Sequence, residues 1–302
     1  MQQQRTLSDW ALLLSLVAMW GSSFMFNKRG LETVTPLALV AARLAVGALV
    51  LLIVVHARGM RLPRIGPVWA AYTAMGFVGN ALPFFLITWG QQAIDSALAG
   101  ILIAAMPLAT LLLAHFIIAG EHLTQRRAAG FLVGFAGILV LMGPAVARRS
   151  GGSTLQVVSE LAVLGGALCY STNSILARLL VKTDFLVAAT GTLLVASIMV
   201  VPLAITLEQP WTLAPSFAST AAIVWLGIGP TALATILYFR LISSAGPTFM
   251  SLVNYLSPAV AVFLGVMLLG EQPGVNAYGA LVLILSGIAI SQWRRTSGAA
   301  DG

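Results

Sequence analysis

Ten stretches of almost unbroken apolar residues fix what this chain can fold into. They run over residues 10–26, 36–55, 68–90, 97–119, 128–147, 161–177, 185–207, 217–239, 245–269 and 277–293. Their lengths, 17 to 25 residues, are those of helices that cross the hydrocarbon core of a bilayer. Barrel strands would be about ten residues long and would alternate apolar with polar positions; no such alternation is present. A water-soluble fold is excluded by charge. Only 8% of the residues are charged, where soluble proteins carry about 25%. In lipid every backbone N–H and C=O must be satisfied within the segment, which leaves helices. The expected fold is therefore an all-α polytopic membrane protein of ten transmembrane helices. The first stretch follows Arg5 as a signal peptide would, but Trp20-Gly21-Ser22-Ser23-Phe24 offers no small-x-small cleavage site, so it reads as the first helix of the protein.

The net charge of +7 has a topological reading. With the N-terminus inside, the inner segments hold Arg5, Arg58, Arg61, Arg64, Arg126, Arg127, Arg178, Lys182, Arg240, Arg294 and Arg295, eleven cations. The outer loops hold four, Lys28, Arg29, Arg148 and Arg149. That bias places both termini in the cytoplasm, with a bacterial inner membrane as the expected location. Cations spread through loops in this way do not point to nucleic acid, and a single cysteine, Cys169, excludes an intrachain disulfide and a cysteine metal cage.

The chain repeats itself. At an offset of 150 residues, Trp20-Gly21-Ser22-Ser23 lies over Tyr170-Ser171-Thr172-Asn173, Lys28 over Arg178, Gly79 over Gly229, Gly120-Glu121 over Gly270-Glu271, and Gly137-Ile138 over Gly287-Ile288; Pro107 and Pro258 agree to within one residue. The expected division is a first five-helix repeat at 1–147, a polar Gly/Ser-rich linker loop at 148–158, a second repeat at 159–294 and a tail at 295–302. Five is odd, so the second copy enters the membrane from the opposite side. An inverted-topology repeat of this kind lets two similar halves exchange inward-facing and outward-facing shapes around a shared site.

These residues carry a family resemblance. Trp-Gly-Ser-Ser-Phe at 20–24, Ala42-Arg43, and the spacing Pro107…Gly120-Glu121 with its repeat Pro258…Gly270-Glu271 resemble the EamA family of the drug/metabolite transporter superfamily, over nearly the whole chain. The resemblance implies two inverted five-helix repeats, cytoplasmic termini and transport of small metabolites, often efflux of amino acids or related compounds. Some members of the family are importers, so uptake of a vitamin or other small organic solute is the alternative expectation.

Arg43 is the one cation within a span, and charge there is expensive enough to need a cavity or a partner. Two roles fit: attraction of an anionic group of the substrate, or snorkelling or hydrogen bonding to backbone carbonyls of neighbouring helices. All nine carboxylates read as lying in loops, tails or span ends, which leaves Arg43 without an intramembrane acid and the chain without an evident proton relay. Further substrate-binding candidates are Trp20 and Ser23 (with Asn27, on one face of helix 1), Tyr170 and Asn173, Asn80 and Phe84, Tyr238, Asn254 and Tyr255. Such side chains line polar pockets or hydrogen-bond between helices. Pro107 and Pro258 are candidate kinks, either bending points or static accommodation. Trp89 and Trp293 read as interfacial anchors, and Gly130…Gly134 as a close helix contact, internal or in a homodimer. Glu121 and Glu271 sit where solvation or loop capping suffices. No catalytic residue, metal site or cofactor is expected: there is no His-Glu-x-x-His and no Gly-x-x-x-x-Gly-Lys sequence, so an enzyme is not the expected function. The partners expected are a small-molecule substrate and the lipid bilayer.

Overall fold

The computed structural model describes residues 6–118, 120–147, 151–180 and 183–292. Arg5, Arg148, Arg149, Lys182, Trp293, Arg294 and Arg295 lie outside the described residues. Ten helical spans follow one another: α1 Leu7–Gly30, α2 Pro36–Ala57, α3 Pro67–Gly90, α4 Ser96–Ile117, α5 Gln125–Ala147, α6 Gly151–Leu180, α7 Phe185–Leu207, α8 Phe217–Gly246, α9 Val253–Leu269 and α10 Val275–Gln292. Nine of them are long and apolar enough to cross a membrane; α9 is shorter. We call the face where α1 begins and α10 ends the terminal face, and the opposite one the distal face.

The inverted repeat is visible in which helices touch. α2 packs on α7 and α5 on α10, each a pair of counterparts; α1 against α9 is matched by α6 against α4, and α3 against α7 by α8 against α2. α3 and α8 are also interrupted at corresponding places. Phe77–Ala81 and Gly227–Leu233 are π-helical, with Leu82 N–H on Phe77 O and Ala234 N–H on Gly229 O. Prolines explain the position, since neither Pro83 nor Pro230 can donate to the regular ladder and the widened turn absorbs the missing bond.

Apolar side chains face both ways. Leu39, Leu44, Leu51, Leu226 and Ile284 are fully buried between helices, whereas Ile53, Phe116, Leu132, Ile198, Phe263 and Val282 are exposed around the rim. In water such a rim would drive aggregation; in a bilayer it is the lipid-facing surface. Helix starts are capped from within and from afar. Thr6 and Asp9 form a reciprocal capping box on α1. The α2 start has Pro36 at its first position, and the Glu208 carboxylate from the end of α7 accepts from Leu37 N at 3.2 Å, Ala38 N at 2.7 Å and the Thr35 hydroxyl. Replacing Glu208 by Ala is expected to cost about 1 kcal/mol, the size of a lost N-cap, read as a drop of a few degrees in the melting temperature of the detergent-solubilised protein.

Gly130 and Gly134 of α5 are an internal contact. A Cβ on Gly287 of α10 would stand 2.5 Å from both Gly130 O and Gly134 N, so the two backbones cross with no room for a side chain.

Several boundaries differ from the sequence reading. α6 begins at Gly151, so the stretch expected as a loop up to residue 158 is helical from 151 onward: its polar residues form a helix end that need not enter lipid. Glu160 accordingly lies inside α6, fully buried, with Gln156 Nε2 donating to one carboxylate oxygen at 2.9 Å; it is not at a span end. The expected helix at 245–269 is broken twice, at Gly246 (φ 79°, ψ 166°) and at the turn 251–252. Glycine takes that left-handed φ without the Cβ clash other residues meet. The break in α9 therefore precedes Pro258, which sits inside a regular helix. In α4 the turn at Ala104-Ala105 comes immediately before Pro107.

Candidate functional site

One cavity lies between α1, α2, α3 and α6. Arg43, Phe84 and Tyr170 form one part of its wall; Ser23, Phe24 and Ile87 another, with Asn27 and Gln91 toward the distal face. Its volume is about 40 Å³, enough for a few waters. The site is pinched in this conformation.

Arg43 is built into the wall from both halves of the chain. Its Nε donates to Thr231 Oγ1 at 2.9 Å, and Thr231 in turn donates to Leu226 O at 2.8 Å across the π-turn of α8. Its guanidinium carbon stands 3.8 Å from the centre of the Phe84 ring, a cation–π contact, and Phe84 meets Tyr170 edge-on at 6.5 Å. Gly47 and Gly227 let α2 and α8 approach closely enough for this: a Cβ on Gly227 would lie 3.0 Å from Arg43 O. Among the described residues no carboxylate pairs with Arg43; the ion pairs are Arg29–Glu32, Arg127–Glu121 and Arg178–Glu121. Nor do its two terminal nitrogens find a protein acceptor among them. A guanidinium is a planar fork of donors, the shape that meets carboxylate and phosphate groups.

The distal end of the cavity is closed by a polar chain. Asn27 Nδ2 donates to Gln91 Oε1 at 2.7 Å, Thr88 Oγ1 to Asn27 Oδ1 at 3.2 Å, and Gln91 Nε2 to Phe24 O at 3.0 Å. Beyond it, Lys28 Nζ donates to Gln91 O at 2.7 Å and Ile94 O at 2.9 Å. Beside this lies Asp95, whose carboxyl is pushed up by burial and by the neighbouring Glu271 carboxylate, with Lys28 acting in the opposite direction.

Of the residues picked out by sequence, the cavity gathers Ser23, Asn27, Arg43, Phe84 and Tyr170. Trp20 does not line it: its Nε1 donates to Pro230 O at 3.2 Å and its ring lies 5.8 Å from Tyr238, so both belong to the α1–α8 packing. Asn173 packs over Gly79, its Oδ1 buried without a partner. Tyr255 Oη donates to Gln292 Oε1 at 3.2 Å between α9 and α10. Asn80, in the π-turn of α3, and Asn254, in the first turn of α9, are also away from the cavity wall. Gln91, Phe24 and Ile87 escaped the sequence reading. Gln91 could have been found from its place at the end of a span next to Thr88, where an amide must meet another polar group; nothing distinguishes Phe24 and Ile87 from other apolar span residues.

The model of a family described as the EamA-like transporter family matches residues 9–143 and again 158–293. A protein of Streptantibioticus cattleyicolor named "Probable terminal-alkyne amino-acid exporter" is 29% identical over 96% of this chain and 94% of its own length. YedA of Escherichia coli K12, named an inner membrane transporter, is 24% identical over 96% of this chain and 92% of its own; the Bacillus subtilis transporter YdfC is 25% identical over 91% and 88%. A solved crystal structure shares the fold, with a TM-score of 0.66 over 94% of this chain and 97% of its own, at 24% identity.

Proposed function

Because the chain belongs to the EamA-like transporter family, we propose that it is a secondary carrier, not driven by ATP, that moves a carboxylate-bearing metabolite by alternating access around the Arg43 cavity. The cargo is an amino acid or a related compound, and the direction is efflux. Both termini lie in the cytoplasm of a cell bounded by an inner membrane, so the distal face is the external one. The two repeats at 1–147 and 159–294 are the halves that move relative to one another.

One observation carries the reading: a guanidinium held by Thr231 and Phe84 at a cavity wall, with no carboxylate paired to it among the described residues. A cation within a span without a counter-charge is costly, and a substrate carboxylate supplies a bidentate one. The aromatic faces of Phe84 and Tyr170 suit an organic side chain. The exporter name of the Streptantibioticus relative agrees with the substrate class and with the direction.

The test is exchange by the purified protein in proteoliposomes. A panel of labelled amino acids, the same amino acids as methyl esters, and amines is expected to divide by the presence of a free carboxylate, with saturable counterflow for carboxylates alone. Equal counterflow of acids and esters would remove Arg43 from substrate binding. Repeating the assay with an imposed pH gradient shows whether protons drive the movement.

A further inference from the structure

The 150-residue offset that pairs the helices also pairs two sets of charged side chains, and in this structure the two sets are engaged differently. At the distal face a cation and an acid both hold the α3–α4 hairpin. Lys28, from the end of α1, donates to the last carbonyls of α3 and its turn, Gln91 O and Ile94 O. Glu271, from the α9–α10 turn, accepts from the first amides of α4: Ser96 N at 2.7 Å on one oxygen, Ala97 N at 2.9 Å on the other. Each charge thus sits on a helix end of opposite partial charge. Space is made for Glu271 by Gly265, where a Cβ would come within 2.3 Å of its Oε2.

Their counterparts at the terminal face are Arg178 and Glu121, and the counterpart hairpin is α8–α9, turning at Gly246. Here, among the described residues, no hydrogen bond joins the charges to the hairpin. Glu121 accepts from Arg178 at 3.3 Å and Arg127 at 3.2 Å, so among the described residues acid and cation are paired with each other. Beside the terminal half of α8 lies a crevice of about 510 Å³, bordered by Arg58, Asp184, Leu237 and Arg240, with Phe239 of α8 stacked on Phe185 of α7 at 4.9 Å as the contact that spans it.

We propose that these four residues are the gate latches of the carrier: Lys28 and Glu271 clamp the α3–α4 hairpin when the distal gate is shut, and Arg178 and Glu121 clamp the α8–α9 hairpin when the terminal gate is shut. When a gate opens, its two charges release the helix ends and pair with one another, as Arg178 and Glu121 do here. This structure is then the state closed at the distal face. The inference rests on the alternating-access reading above and adds the residues that hold each state. The latches are not equal. Where Ser96 and Ala97 each offer an N–H, the start of the counterpart hairpin carries Pro247, which has none. Where Gly265 leaves room, the offset places His115, whose Nδ1 accepts from Leu123 N at 3.2 Å. The terminal latch is the weaker one, and the distal-closed state is the resting state.

Spin-label distances in the full chain, reconstituted in lipid on a Cys169→Ser background, test this. One label pair spans the distal mouth (Gln92→Cys with Thr212→Cys) and another the terminal mouth (Arg61→Cys with Ser243→Cys). Lys28→Gln and, independently, Glu271→Gln are expected to raise the distal-open population on the order of tenfold, the effect of losing a charge-assisted hydrogen bond, while Lys28→Arg restores the resting distribution. Glu121→Gln, at a partly exposed position that does not threaten folding, is expected to lower the distal-open population instead. Shifts of the same sign from Lys28→Gln and Glu121→Gln, or no shift from either while substrate still moves the distances, would overturn the latches and leave alternating access standing. A single unchanging distance distribution in every variant, with and without an amino-acid substrate, would overturn both.

Discussion

Replacing Arg43 by glutamine is expected to lower transport of carboxylate solutes at sub-saturating concentration at least about thirtyfold, the equivalent of ~2 kcal/mol, the lower end for deleting one member of a buried hydrogen-bonded charge pair. Protein abundance should hardly change. Among the described residues Arg43 makes one hydrogen bond, to Thr231 Oγ1, and one ring contact, to Phe84, and has no ion-pair partner in its span, so its removal relieves desolvation as well as losing contacts. Arg43→Lys should recover only part of the activity, because an ammonium offers no planar fork to a carboxylate. Initial-rate measurements in proteoliposomes, normalised to reconstituted protein, decide it. Unchanged kinetics for the glutamine variant would reduce Arg43 to a packing residue.

The second large effect is on folding. Gly287→Leu is expected to destabilise the protein by about 3 kcal/mol, the upper end for overpacking, because the new side chain would have to enter the α5 backbone at Gly130 O and Gly134 N. Gly279→Leu, on the same helix, is the matched control: a Cβ there meets nothing within 4 Å, and replacing a helical glycine removes backbone entropy from the unfolded chain. Membrane abundance and melting temperature in detergent should fall for the first variant and hold for the second. If Gly279→Leu were the more damaging, the α5–α10 crossing would be wrong.

What could be read from the sequence divides along a physical line. The spans are set by length and apolarity, which are local, and the inverted repeat by an offset that survives from Lys28 over Arg178 to Gly287 over Gly137. Neither needs knowledge of which helix touches which. The cavity does. These helices are apolar almost all round, since one side meets lipid and the other meets protein, so the pattern that reveals the buried face of a soluble helix is missing. Trp20 and Ser23 sit three residues apart on α1, yet one hydrogen-bonds the α8 π-turn and the other lines the cavity. Glu160 reads as a residue at the mouth of a span because its neighbours in sequence are polar; its burial is produced by helices distant in the chain. Gln91, just past the end of α3, is drawn inward by Asn27, a partner 64 residues away.

The cavity has one further consequence. Its cation belongs to one half of the chain: the residue 150 positions beyond Arg43 is Leu193, buried among aliphatic side chains. Under the proposed function a solute carboxylate would be gripped from one half of the chain alone, so two halves built alike would differ in what they ask of the cargo.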